Sequence, residues 1–319
     1  MANTAELCRI TKRYDSFVAV DALSLEVPEG AVFGLLGPNG AGKTSAIRMA
    51  LGITLPDEGE VRLFGQPFQR AHLDHIGYLP EECGLYRKMK VLDHLIFLGR
   101  LKGLAESESR RRALQWCERL ALPEWADKKV EQLSKGMQQK VQFIAALLHE
   151  PRLVVLDEPF SGLDPANALE MKNVLLELHQ QGKTILFSTH RMEQVERLCD
   201  SICLINHGRA VLAGNLKQIK AGYGKNSVQL EYQGDDAFLQ NRELVDSFNN
   251  YGHYVEVRLK PGADAQELLR AAAAGARVAR FELVEPSLEE IFIDTVRPNE
   301  GNSPAPPAAD AHSREVAHA

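Results

Sequence analysis

A chain of 319 residues with 45% hydrophobic and 25% charged residues carries enough apolar content for one large core and a smaller one. Its formal net charge of −6 excludes the basic field that draws nucleic acid by counterion release, so no nucleic-acid partner is expected. No run of about eighteen uncharged apolar residues reads as a membrane span, residues 1–10 lack the layout of a secretion signal, and five cysteines without metal-type spacing suit a reducing compartment. The chain is therefore expected in the cytosol, with Cys199 and Cys203 as buried free thiols.

From residue 6 to about 27, alternating runs at 17–20 and 23–27 are broken by charged turns and predict an antiparallel β layer at the N-terminus. Residues 31–37 form an apolar run that ends in a glycine-rich turn and leads into a helix over 43–52. Strand, loop and helix follow in the order a phosphate site needs. Leu92, Leu95, Ile96 and Gly99, then Leu114, Cys117 and Ala121, recur at helical spacing around a polar gap at 103–109, which predicts a mostly helical insert at about 84–150. Residues 153–156 and 184–188 read as buried strands separated by a helix with the apolar stripe Met171, Val174, Leu175 and Leu178. That alternation implies a largely parallel α/β sheet.

A second unit begins near Lys225, where the glycine-containing stretch 221–224 loosens the chain. The alternating run 227–232 is followed by 254–259, 264–274, 278–285 and 288–296, which read as strand, helix, strand and helix. The expected division is a large α/β unit at 1–222, a small α+β unit at 223–297 and a tail at 298–319. The tail is rich in Pro, Ala, Ser and charge, cannot bury enough apolar area to offset ordering entropy, and is expected to be disordered.

Gly37-Pro38-Asn39-Gly40-Ala41-Gly42-Lys43-Thr44 matches Gly-x4-Gly-Lys-[Ser/Thr] between a strand and a helix. Glycines let backbone N–H groups cradle phosphate oxygens, and the following helix turns its positive end toward them. Lys43 is expected to reach the β- and γ-phosphates of ATP and Thr44 to ligate Mg²⁺. The strand ending Asp157-Glu158-Pro159 presents two carboxylates: Asp157 placed to hold Mg²⁺ through water, Glu158 to polarise the attacking water. Taken alone, the two could also simply cap the next loop.

Leu133-Ser134-Lys135-Gly136-Met137-Gln138 resembles the signature motif of ABC (ATP-binding-cassette) ATPases. Together with the phosphate loop, Asp157-Glu158, Ser161-Gly162-Leu163-Asp164 and Ser188-Thr189-His190, in this order, the resemblance covers about residues 6–215. It implies a P-loop cassette that works as a head-to-tail pair, either a homodimer or two paired cassettes, with ATP between them. Ser134 and Gly136 would touch the γ-phosphate held by the other cassette, Asp164 would link the two sites, His190 would contact the γ-phosphate and Tyr14 would lie against adenine. A helix capped by Ser134 makes physical sense here, since its positive end would face the phosphate across the interface.

The sequence departs from the family pattern at three places. Lys135 and Met137 stand where the family has a glycine and a glutamine, and Glu81 stands where it has a glutamine after the strand that enters the insert. A carboxylate about 4 Å from a phosphate charge is disfavoured by about 4 kcal/mol at an effective dielectric of 20 unless a cation lies between them, so Glu81 is expected either to meet Mg²⁺ or to point away, and the adjacent Glu82 could take the role instead. The C-terminal stretch Glu285-Pro-Ser-Leu-Glu-Glu-Ile-Phe-Ile resembles the accessory domain of exporter-branch ATPase subunits, where it could regulate or only brace the cassette.

The resemblance implies ATP hydrolysis that powers export through a separate multi-span permease, with this chain peripheral on the inner face of the cytoplasmic membrane. Residues 86–91 are the expected permease contact, or else ordinary core. The rival classes are a ribosome- or DNA-directed ATPase, which would resemble tandem cassettes or carry a long coiled coil, and a non-catalytic ATP-gated module, which would not need Lys43, Asp157, Glu158 and His190 together.

Overall fold

The computed structural model describes residues 2–82, 84–223 and 227–296. Cys83, Lys225 and the expected tail at 298–319 lie outside the described residues.

Strand β1 (Asn3–Tyr14) turns back into β2 (Phe17–Pro28), and the pair runs antiparallel. The two alternating runs expected at 17–20 and 23–27 belong to one strand. The charged interruption between them is an irregularity at Ala22, at φ +47°, whose amide donates to the Thr11 hydroxyl at 3.0 Å. β3 (Val32–Leu36) leads into α1 (Lys43–Ala50), and β4 (Glu58–Leu63) and β5 (Gln66–Pro67) complete the N-terminal sheet in the order β2-β1-β4-β5.

β6 (Ile76–Leu79) enters the insert, built from α2 (Val91–Leu101), α3 (Glu106–Arg119) and α4 (Lys135–Leu147). Then follow β7 (Leu153–Asp157), α5 (Pro165–Gln180), β8 (Thr184–Thr189), α6 (Met192–Leu198), β9 (Ser201–Asn206), β10 (Arg209–Asn215) and α7 (Leu216–Tyr223). The central sheet has the order β10-β9-β3-β8-β7-β6, parallel except for β10. Its strands read as unbroken apolar runs because both faces are covered. In β7, Leu153 and Val155 join the core beneath the N-terminal sheet, while Val154 and Leu156 join the core beneath the helices.

The insert differs in phase from its expected stripe. Leu92, Leu95, Ile96, Gly99 and Cys117 are buried, but Leu114 is 45% exposed and Ala121 is exposed. The buried line on α3 is Ser109, Ala113 and Cys117, because contact with α2 and α4 sets the helix's rotation. The 86–91 segment is mixed: Val91 is fully buried, while Tyr86 stays 55% exposed and packs edge-on to Phe97, whose helix also exposes Leu101. Cys199 is half-buried and Cys203 fully buried, both as free thiols.

The C-terminal unit pairs β11 (Ser227–Gly234), β12 (Val245–Asn250), β13 (Val255–Leu259) and β14 (Ala276–Val284) in the order β12-β13-β11-β14, with α8 (Ala265–Gly275) across it. β12 escaped sequence reading because only Val245 of its six residues is buried, so it has no alternation to detect. The last helix, α9 (Leu288–Val296), returns to the cassette: Leu288 and Ile291 lie in the same core as Val195 and Leu216. Among the described residues no helix is long and apolar enough to cross a membrane.

Two buried histidines carry a pH cost. His94 is fully buried with neither ring nitrogen partnered, and burial pushes it down to about 4. His149 donates from Nε2 to the Ile76 carbonyl at 3.0 Å and is also pushed down to about 4, by burial first and then by the charge of Lys102. Folded-state values below the unfolded one mean stability that is complete above about pH 6.5 and lost as pH falls from there toward 4, by roughly 3 kcal/mol per histidine. The melting temperature is thus expected to be flat above pH 7 and to drop between pH 6.5 and 4. His94→Leu should raise it at neutral pH and make the acid slope shallower; an equal slope in both proteins refutes the assignment.

Candidate functional site

The loop between β3 and α1 can wrap an anion only because two of its glycines adopt conformations closed to other residues. Gly37 has φ +153°, and a Cβ there would sit 2.2 Å from the Ile205 carbonyl oxygen; Gly42 has φ +103°, and its Cβ would sit 2.4 Å from the Ala19 oxygen. The loop opens on a cavity of about 340 Å³ lined by Tyr14, Phe17, Ala19, Asn39, Gly40, Gly42, Lys43, Thr44, Ser45, Glu81 and Glu158. The Lys43 ammonium donates to the carbonyls of Gly37 at 2.8 Å and Pro38 at 3.1 Å and stands 3.8 Å from Glu158 Oε1. Burial lowers its pKa, and the charges of Glu158, Asp157 and Glu81 oppose that shift.

The two carboxylates at the end of β7 are held by the neighbouring strand. The Ser188 hydroxyl donates to Asp157 Oδ1 and accepts from the Glu158 amide at 3.1 Å, and the same amide donates to the Ser188 carbonyl at 3.2 Å. Glu158 is itself at φ +49°, a conformation costly for a non-glycine residue and found where a site holds its backbone against strain. Its Oε1 lies 2.9 Å from Nδ1 of His190 at the end of β8. Ser188 was read from the sequence only as the start of the Ser188-Thr189-His190 motif, without a role; its role follows from lying directly opposite Asp157 in the parallel register.

Asp157 is fully buried, and its Oδ2 has no hydrogen-bond partner. A buried, unpartnered carboxylate oxygen beside a Thr44-lined phosphate loop has the donor chemistry of a hydrated divalent cation's site, oxygen only. Among the described residues there is no cluster of three or more His, Cys, Asp or Glu that could hold a metal by itself, and oxygens of water or phosphate are the ligands that would complete such a cation's shell. Glu81 lines the cavity and its charge acts on Lys43.

Tyr14 is 45% exposed at the cavity mouth with the Lys12 ammonium 5.7 Å from its ring centroid. Phe17, directly opposite Tyr14 across the β1–β2 turn and 61% exposed, lines the same cavity. An exposed aromatic pair across a tight turn was legible as a stacking surface, yet only Tyr14 was named.

Ser134, Gly136 and Asp164 do not line this cavity. Ser134 caps α4, its hydroxyl accepting from the Met137 amide at 3.3 Å, and both Ser134 and Lys135 are exposed. Gly136 faces Leu163 and Asn167, so the start of α4 and the loop before α5 adjoin each other. Asp164 caps α5 by accepting from the amides of Ala166 and Asn167, each at 3.0 Å, which holds its carboxyl below the usual range. Met137, where a polar residue was expected, packs against the helical core. Two glutamines of α4 tie it to the cavity's rim: Gln139 donates to the Pro159 carbonyl at 3.3 Å and Gln142 to that of Glu82 at 3.1 Å.

The loop geometry separates two glycines by mechanism. Gly42→Ala meets backbone at 2.4 Å as well as a left-handed φ, whereas Gly40→Ala meets open space and bears only its φ of +78°. Denaturant unfolding is expected to show a loss of about 1 kcal/mol for Gly40→Ala and at least twice that for Gly42→Ala; equal losses contradict the close approach of the loop to Ala19.

Comparison with known proteins places this geometry. Residues 20–161 match the family model described as ABC transporter, and residues 214–296 match that of the C-terminal domain of DrrA1-3-like ATP-binding proteins. The chain is 45% identical to the ABC transporter ATP-binding protein YhaQ of Bacillus subtilis, over 90% of this chain and 96% of that one. It is 36% identical to Nod factor export ATP-binding protein I of Sinorhizobium fredii, over 90% and 84%. A solved ATP-binding subunit of an ABC transporter superposes with a TM-score of 0.64 at 30% identity, over 69% of this chain and 93% of that one. A dimeric cassette captured after hydrolysis with ADP and phosphate superposes at 0.62 and 25% identity, over 66% and 98%. This chain therefore belongs to the ATP-binding subunits of ABC transporters, cassettes that hydrolyse ATP to power transport, and it carries a DrrA-like C-terminal domain.

Proposed function

We propose that this chain powers export across the cytoplasmic membrane from its inner face, driving a separate multi-span permease through an ATP-gated, head-to-tail pair of cassettes. The observation that carries this reading is the division of the site: the phosphate loop, Lys43 and Glu158 meet at one cavity, with the buried Asp157 acting on Lys43 from behind it, while exposed Ser134 and Asp164 and half-buried Gly136 stand outside it. A second cassette facing the first would bring its own capped helix end to the γ-phosphate. The relative named for Nod factor export supports the exporter direction, and the dimeric cassette bound to ADP and phosphate supports the pairing.

Within one site, Tyr14 and Phe17 would stack on adenine, and the amides of residues 37–42 with Lys43 would hold the phosphates. Thr44, Asp157 through its free Oδ2 and Glu81 would hold Mg²⁺, which supplies charge neutralisation on the phosphate oxygens when bound. Glu158 would accept the proton of the attacking water. Its 2.9 Å bond to His190 aims the carboxylate and lets the β8 loop register the γ-phosphate. Once that phosphate leaves, the two cassettes lose the ligand that favours their closed arrangement. Tyr86, Phe97 and Leu101 form an exposed apolar ridge on the insert that suits a helix of the permease.

Glu158→Gln is expected to lower ATP turnover by at least ~10²-fold, to keep ATP binding, and to convert the chain to a dimer on addition of ATP, read by size-exclusion chromatography with light scattering. Turnover near wild type removes Glu158 from catalysis; tight ATP binding without dimerisation sinks the paired-cassette reading. The same variant, purified with ATP from detergent-solubilised native membranes, is expected to bring down a stoichiometric multi-span protein, and ribosomal or DNA-associated partners in its place would refute the transporter role.

A further inference from the structure

The accessory sheet meets the cassette at α9, and two carboxyl groups face each other in that joint. Glu256 on β13 and Glu290 on α9 are each only 7% exposed, and each acts directly on the other. Two buried carboxylates side by side are acceptors only and repel, so one of the two keeps a proton. Glu290 Oε2 also accepts from the Ser227 hydroxyl at 3.4 Å and the Ser287 amide at 3.3 Å, so donors favour the charge on Glu290 and the proton on Glu256.

The groups around the pair come from every element packed on it. Glu196 of α6 and Lys220 of α7 act from the cassette side, Arg258 from β13, Glu289 from α9, and Tyr251 and Tyr254 from the turn between β12 and β13, with Glu193 acting on Tyr254. Lys220 opposes the rise at Glu256, while its ammonium bonds Glu196 Oε1 at 3.1 Å. That same oxygen accepts the Leu288 amide at 2.6 Å, which ties the start of α9 to α6. Helix α6 begins two residues after His190. Burial first, then the charge of Glu290, push the Glu256 carboxyl up to about 7, and burial also raises Glu290.

We propose that one proton shared by Glu256 and Glu290 latches the accessory sheet to α9 and, through Glu196, to α6, so that the accessory unit's grip on the segment following His190 is graded by pH. A carboxyl raised in the docked form favours docking most below its free value near 4.5. Docking then weakens tenfold per pH unit up to about 7 and is constant above it. Between pH 6 and pH 8 the docking constant falls about tenfold. The latch itself stands on the joint alone; only its effect on turnover rests on the role proposed for His190.

Hydrogen exchange on the full chain, corrected for the intrinsic pH dependence of amide exchange, tests it. Protection of the α9 and β13 amides should fall about tenfold from pH 6 to pH 8 in the wild type. It should change less than twofold in Glu256→Gln, whereas Glu290→Gln, which keeps a buried Glu256, should show a smaller fall than the wild type, and Glu289→Gln, an exposed neighbour on the same helix, keeps the wild-type fall. If Glu256→Gln fails to fold, Glu290→Gln decides. A wild-type protection that is flat over this range, or an undiminished fall in the glutamine variants, overturns the latch. ATP turnover measured over the same pH range should show a step in the wild type that Glu256→Gln lacks. An identical turnover profile with the protection step intact overturns the coupling to His190 and leaves the catalytic reading of Glu158 untouched.

Discussion

Burying two adjacent carboxylates at the end of a strand covered on both faces costs several kcal/mol unless each is held, and the arrangement of this cassette follows from how they are held. Asp157 and Glu158 end β7, whose side chains alternate between two apolar cores, so the strand cannot shift to relieve them. Ser188 on the next strand spends its proton on Asp157 and its lone pair on the Glu158 amide, which fixes one carboxylate and the backbone of the other with a single hydroxyl. What remains buried and unsatisfied is Asp157 Oδ2, an oxygen that a cation could claim. Replacing the hydroxyl would free a buried charge and release a strained backbone together, so Ser188 matters to both positions.

The same strand ends connect the site to the rest of the molecule. Gln139 and Gln142 of α4 reach the loops on either side of the cavity, so the helix that begins with Ser134 is not independent of the carboxylates it lies apart from. On the opposite side, His190 bonds Glu158, and α6, which follows it, is bonded to the first turn of α9 through Glu196. A change at Glu158 thus has short covalent and hydrogen-bonded routes both to the exposed helix end and to the accessory unit. Small shifts there can matter because packed cores have discrete arrangements and do not deform continuously.

Much of this site was legible before any coordinates. The phosphate loop is contiguous, and its glycines, lysine and threonine each have a local reason to be where they are. Ser134 and Asp164 cap helices, which needs only the next three residues. The misses share a different cause. Leu114 and Ala121 were placed on the buried line because a helical period is insensitive to a one-residue change of phase, and only contact with α2 and α4 selected Ser109, Ala113 and Cys117. Phe17 and Ser188 contribute through a partner across a turn and across a parallel register, respectively.

The sequence by itself determined the elements whose physics is local: the apolar runs that become buried strands, the glycine-rich anion loop, the capped helix starts and the order of motifs that marks the family. Only the tertiary structure decided that α9 belongs in the cassette core, that Glu256 meets Glu290, 34 positions along the chain, and that Ser134 stands outside the cavity holding Lys43. The reason is that period and propensity act over a few bonds, whereas burial, shared protons and the division of a site are set by which surfaces exclude water together, and residues far apart in the chain settle that jointly.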